Sequence, residues 1–155
     1  MPDEAKHNSA DAPLTVQSVK LHVAPRPCNT CPYRRSTPPG IWAPDEYAKL
    51  PAYDRRPGDV TAEGATFHCH QENATGVATV CRGWLGAHPD SFAVRLAVAV
   101  GLLDSDDINA LPDVDPTLYA SGAEACAAGL AGVEQPSASA RDAAERLMRK
   151  RAGRL

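Results

Sequence analysis

The sequence predicts a small, irregular α+β domain with a β-hairpin and a few helices. Three observations predict it. Prolines crowd one stretch, with Pro25, Pro27, Pro32, Pro38, Pro39, Pro44, Pro51 and Pro57, and such density leaves room there only for short regular elements. Two cysteine-bearing apolar runs around residues 67 and 81 flank a turn-like segment. Beyond residue 89 the pattern changes to short alanine-rich stretches of helical period. A chain of 155 residues with 43% hydrophobic residues fits one domain with one core.

Taken in order, residues 1–13 lack apolar periodicity and are expected to be disordered, while Leu14, Val16, Val19, Leu21 and Val23 read as an extended segment. Met1 to Ala12 are polar and acidic where a signal peptide needs a cationic start and an apolar run. The longest apolar run, Leu96 to Leu103, is far short of the roughly 20 residues a membrane span needs. A cytoplasmic protein with no membrane association is expected. The net charge of -3 offers no overall attraction for nucleic acid or anionic lipid.

Within the proline-rich stretch one helix fits, Pro44 to Leu50, because Asp45 and Glu46 suit a helix N-terminus. Ala65 to Gln71 and Val77 to Cys81, joined by Glu72-Asn73-Ala74-Thr75-Gly76, read as a β-hairpin. If it is symmetric about Thr75, residue 70 pairs with 80 and Cys69 lies directly opposite Cys81, with β-carbons about 4.5 to 5.5 Å apart. A helix follows from about Pro89 to Leu103, its apolar stripe of Phe92, Leu96, Val100 and Leu103 expected to form the core. Asp104, Asp106 and Asp107 read as its end, since they lack the alternating oxygens and closing glutamate of an EF-hand. Two more helices, Ser121 to Leu130 and Ser139 to Arg151, complete the chain.

The cysteines carry the functional information. Cytoplasmic thiols stay reduced, so spaced cysteines there are more often metal ligands or catalytic groups than disulfides. Cys28-Asn29-Thr30-Cys31 is a Cys-x2-Cys pair, a spacing that lets the backbone fold around an ion and present two sulfurs to it. A thioredoxin-type redox site needs that pair at a strand-to-helix junction, whereas a proline-rich segment follows here. Cys69 and Cys81 reach the same point through strand pairing. Four thiolates, Cys28, Cys31, Cys69 and Cys81, are therefore expected to hold one zinc ion or one [4Fe-4S] cluster. The competing reading makes Cys69 and Cys81 small core residues.

His68 and His70 bracket Cys69, but strand alternation points both to the opposite face. Either is a surface group, a substitute ligand or a proton carrier beside the metal. Cys126 sits on an apolar helix and reads as packing. Trp42 and Trp84 read as bulky plugs of a thin core beside the metal. Arg34, Arg35, Arg55 and Arg56 are solvated cations or anion-binding groups, and Arg146, Arg149, Lys150, Arg151 and Arg154 are helix-end cations or a nucleic-acid contact.

The run Pro27-Cys28-Asn29-Thr30-Cys31-Pro32-Tyr33-Arg34-Arg35, then Trp42, Glu46-Tyr47 and Leu50, then Phe67-His68-Cys69-His70-Gln71, and finally Cys81-Arg82-Gly83-Trp84-Leu85 resembles the small four-cysteine proteins of unknown function encoded by actinobacteria and their phages. The resemblance covers roughly residues 25 to 103. It implies a metal or cluster site and no particular activity, with the C-terminal third peculiar to this chain. The spacing departs from the WhiB-like iron-sulfur regulators, in which a lone cysteine precedes the Cys-x2-Cys pair.

The expected organisation is a disordered segment 1–13, a four-cysteine metal-binding domain 14–111 and a helical C-terminal extension 112–155. The expected function is a metal-stabilised structural, interaction or regulatory module with a protein or nucleic-acid partner. Two alternatives are a [4Fe-4S] redox or sensor protein, and a zinc-dependent enzyme with His68 or His70 in its site. No Ser-His-Asp order, phosphate-cradling glycine loop or dinucleotide fingerprint points elsewhere.

Overall fold

The computed structural model describes residues 20–54, 65–69 and 78–153. The elements are β1 (His22–Val23), α1 (Pro44–Ala48), a single 3-10 turn (Leu50–Tyr53), β2 (Thr79–Val80), α2 (Arg82–Ala87), α3 (Phe92–Ala99), α4 (Ser105–Asn109), α5 (Gly122–Leu130) and α6 (Ala138–Ala152). This mixture makes the fold α+β. No described helix is long and apolar enough to cross a membrane. The segments 1–13 and 14–19, and the turn expected between the two cysteine-bearing runs, lie outside the described residues.

The proline-rich stretch behaves as its composition requires. Pro44 starts α1, where its missing N–H costs nothing, and Pro51 sits in the first turn of the 3-10 segment. Gly40, at φ +82°, takes a left-handed turn that brings its α-carbon against the carbonyl of Gly132, where no side chain would fit.

The strand pairing differs from the expected hairpin. β2 lies parallel to β1, with His22 beside Thr79 and Val23 beside Val80. On its other edge β2 meets residues 67–69 antiparallel, through a bridge between His68 and Val80. The Cys69 N–H donates to Thr79 O at 2.7 Å and the Cys81 N–H to Phe67 O at 2.8 Å. Cys69 is therefore opposite Thr79, and Cys81 opposite Phe67. The register sits two residues from the symmetric one, which makes the two cysteines diagonal neighbours. An even shift preserves the side on which each residue points, so both remain on one face.

The α3 stripe is also corrected. Phe92 and Leu96 are each 43% exposed and Val100 55%, whereas Val94, Ala97 and Leu103 are buried. Phe-Ala-Val-Arg-Leu-Ala-Val-Ala is apolar nearly all round, so period alone cannot choose its inner face, and the smaller face packs inward. Ser91 caps α3 by accepting from the Val94 N–H. Asp104, read as a helix end, is instead the N-cap of α4, accepting from the Asp106 N–H. The α2 helix was not expected, because Gly83 and Gly86 lower its propensity.

One apolar cluster joins the parts. Cys31, Tyr33, Leu50, Val80, Trp84, Leu85 and Val94 are its most buried members, and Ala125, Ala140 and Ala143 extend it into α5 and α6. Both tryptophans are buried in it as expected. α5 packs on α1 and the 3-10 turn, and it comes close because Gly129 faces the Tyr47 ring where any β-carbon would collide.

Candidate metal centre

Cys28 and Cys31 lie in a tight turn, with the Cys31 N–H donating to Cys28 O at 3.1 Å. The turn is clamped from several directions. Trp42 Nε1 donates to Thr30 O at 2.9 Å, Thr37 Oγ1 donates to Cys31 O at 2.8 Å, and Arg34 reaches Cys28 O and Asn29 Oδ1. Arg34 is thus spent on holding the turn. Arg35 donates to Leu118 O at 2.9 Å, pairs with Glu124 at 3.5 Å and lies over the Tyr119 ring. These two arginines tie the cysteine turn and the C-terminal helices in place; Arg55 and Arg56 lie outside the described residues.

The four sulfurs form a contact chain. Cys28 interacts with the side chains of Cys31 and Cys69, and Cys31 Sγ lies 3.7 Å from Cys81 Sγ. All five cysteines are free thiols, and 3.7 Å is far longer than the roughly 2.05 Å of a disulfide. Cys31 and Cys81 are buried, while Cys28 and Cys69 are half-buried. Among the described residues, no three histidine, cysteine or acidic side chains meet the geometry of a ready-made ion site.

The titration of the sulfurs reflects their crowding. Hydrogen bonds from Cys31 and Cys69 pull the Cys28 thiol well below the usual range. Its neighbours Cys28 and Cys81 push the Cys31 thiol well above it, and burial adds to this. Cys31 in turn lowers Cys81, against the opposing effect of burial. Backbone N–H groups favour the ionised sulfurs: those of Gly83 and Trp84, orphan donors in the first turn of α2, act on Cys81, and that of Tyr33 acts on Cys31. Two thiolates 3.7 Å apart repel by about 4 kcal/mol in a surrounding of effective dielectric near 20. All four can ionise together only beside a compensating cation, and such a donor set suits a soft or borderline metal.

Gly83 is a site residue that the spacing of the cysteines does not announce. A β-carbon there would overlap Cys31 Sγ and press on Tyr33 Cβ. Alanine is ordinarily the better helix former, by up to about 1 kcal/mol over glycine in a helix interior and by less in a first turn such as this one. Gly83→Ala is expected to reverse that sign and destabilise the protein by about 2 kcal/mol through overpacking, read as a lower urea midpoint at unchanged slope. A stabilised Gly83→Ala would show that Cys31 does not pack there.

His68 is exposed and its Nε2 lies 3.0 Å from Thr66 Oγ1, on the strand position alternate to Cys69; His70 lies outside the described residues. Cys126 packs against the core. Arg149 pairs with Glu145 and Arg151 lies over the Trp42 ring.

A second cluster was missed. His88 Nε2 lies 2.7 Å from Asp54 Oδ1, and His88 Nδ1 lies 3.0 Å from Trp84 O. Asp54 also accepts the N–H groups of Gly122 and Ala123 at the start of α5. The imidazole stacks on Trp84 and meets the Tyr33 ring edge-on. Burial first, then the Asp54 charge, raises the Tyr33 phenol far above its usual range, consistent with a neutral hydroxyl that finds no partner among the described residues.

Fold and sulfur cluster together define a small α+β protein organised around four cysteines. The chain belongs to DUF6283, a family of unknown function whose model matches residues 23–151. The match runs through α6, so the C-terminal helices belong to the family and are not peculiar to this chain. No curated protein matches the chain, and no solved structure does.

Proposed function

We propose that the chain is a metal-binding module in which Cys28, Cys31, Cys69 and Cys81 hold a single zinc ion that staples the proline-rich segment to β2 and α2. The observation that carries this reading is the 3.7 Å contact between Cys31 Sγ and Cys81 Sγ. Zinc–sulfur bonds of about 2.3 Å in a tetrahedron set neighbouring sulfurs about 3.8 Å apart. A [4Fe-4S] cluster would use the same residues but spread the sulfurs over the corners of an iron–sulfide cube, wider than that contact. When bound, the dication supplies the charge that lets the thiolates coexist, and the chain's own N–H groups orient them.

With a thiol at every position the centre is closed, which suits a structural site. His68, exposed and engaged with Thr66, lends nothing to a catalytic-zinc reading. Elemental analysis and a visible spectrum of protein purified without oxygen test the reading. One equivalent of zinc in a colourless protein is expected; iron with acid-labile sulfide and a broad visible absorption would replace zinc with a cluster, and neither metal would overturn the four-thiolate centre.

A further inference from the structure

The sulfur contacts run in a fixed order. Cys69 contacts Cys28, Cys28 contacts Cys31, and Cys31 Sγ lies 3.7 Å from Cys81 Sγ. Along such a chain only one pairing joins every sulfur to one it already contacts, Cys28 with Cys69 and Cys31 with Cys81. The pairing that the Cys-x2-Cys spacing suggests, Cys28 with Cys31, would oblige Cys69 to pair with Cys81. Those two are diagonal across the strands, since Cys69 sits opposite Thr79 and Cys81 opposite Phe67. Diagonal neighbours are about 7 to 8 Å apart, and α-carbons more than about 7 Å apart cannot be bridged by a disulfide without moving the backbone. Exposure is graded along the same chain, with Cys28 and Cys69 half-buried and Cys31 and Cys81 buried. Oxidation favours the more exposed thiolates.

We propose that the four cysteines are also a site of reversible oxidation, at which hydrogen peroxide converts them to the disulfides Cys28–Cys69 and Cys31–Cys81 and expels the zinc. The proposal rests on the four-thiolate reading and adds a regulation to it. For each disulfide, one thiolate attacks a peroxide oxygen and the O–O bond breaks, giving a sulfenic acid and hydroxide. The second thiolate attacks the sulfenic sulfur, the S–S bond forms and a second hydroxide leaves. Two electrons pass from two thiolates to one peroxide, so two peroxides yield two disulfides, four hydroxides and one free zinc ion. The ion leaves because the thiolate is the metal ligand. Both bonds tie the turn at residues 28–31 to another segment, one beside β2 and the other at the start of α2. They hold the segments that the zinc holds. The Cys31–Cys81 bond joins positions 50 residues apart, and a cross-link that closes a long loop constrains the unfolded chain most. The oxidised chain therefore stays folded without metal.

The test treats the zinc-loaded full chain, purified without oxygen, with hydrogen peroxide. It reads zinc release, remaining thiols, thermal unfolding and, by mass spectrometry, which cysteines are joined. Cleavage after Glu72 separates Cys69 from Cys81, and fragmentation within residues 28–31 separates Cys28 from Cys31. Complete release of zinc is expected, with the five thiols falling to one, Cys126, and with the same two disulfides in Cys126→Ser. The oxidised, zinc-free chain is expected to keep a cooperative transition that is lost when a thiol reductant and a chelator are added. Zinc that stays bound, a Cys28–Cys31 disulfide, sulfinic acids in place of disulfides, or an oxidised chain without a transition overturns the oxidation site alone. A chain purified without metal overturns the metal centre instead, and the same two disulfides formed in that chain would still support the pairing.

Discussion

Cys81→Ser is expected to yield a chain that retains no metal and shows no cooperative thermal transition by circular dichroism. Cys81 is the residue where the site and the fold meet: its N–H completes the pairing of β2 with Phe67, and its sulfur touches Cys31 at the start of α2. Structural zinc contributes apparent free energies of about 10 to 16 kcal/mol in small peptides, while an entire domain is stable by only about 5 to 15 kcal/mol. Losing the ion therefore removes an amount comparable to the whole. The core offers little compensation, since aromatic residues make up 5% of the chain and its C-terminal members Ala125, Ala140 and Ala143 each bury little area. Cys28→Ser, at a half-buried position, is expected to weaken metal retention while leaving a measurable transition. A Cys81→Ser protein that melts like the parent would mean that the sulfurs pack as ordinary core residues.

The second large effect is expected at Asp54. Its carboxylate holds three groups at once, His88 and the first two N–H groups of α5. The pair is largely shielded, with side-chain exposures of 9% for His88 and 21% for Asp54. Hydrogen bonds to a charged group contribute about 1.5 to 3 kcal/mol, and the lost helix cap falls within the same change. Asp54→Ala is expected to destabilise by about 3 kcal/mol and to speed hydrogen exchange at Gly122 and Ala123 more than elsewhere. Asp54→Asn should recover part of this, because asparagine also caps helices well. Equal losses in both variants would show that the carboxylate's bonds to α5 and His88 matter less than its shape. Metal content is expected to survive both, because Asp54 does not touch the sulfurs.

What the sequence made legible follows from which physical rules act locally. The Cys-x2-Cys turn, the short helix after Pro44 and the serine-capped α5 and α6 depend on neighbours a few residues away, and each appears close to its expected bounds. Alternation placed Cys69 and Cys81 on one face, but it constrains a register only to even steps, so the two-residue displacement to the His68–Val80 bridge was not readable. The inner face of α3 was equally hidden, because Ala93, Val94, Ala97 and Val98 compete with the larger stripe. The Asp54–His88 pair joins positions 34 residues apart with no characteristic spacing. Gly83 shows its purpose only once Cys31 Sγ occupies the space above it.

The same geometry explains how the four thiols come to form one contact chain although the sequence supplies them by two unlike routes. The turn at residues 28–31 is held by Trp42, Thr37 and Arg34, of which Trp42 and Thr37 are buried. The strand face carrying Cys69 and Cys81 is fixed from both edges of β2, by β1 and by residues 67–69. Both halves meet in one apolar cluster that includes Cys31, Val80 and Cys81, and the sulfur contacts join them.

Extended X-ray absorption at the zinc edge of the purified full chain tests the central claim most directly. Four sulfur scatterers at about 2.3 Å with no nitrogen or oxygen in the first coordination sphere is the result expected. A mixed sulfur and nitrogen shell, or iron with neighbouring iron in place of zinc, would contradict a closed four-thiolate zinc centre.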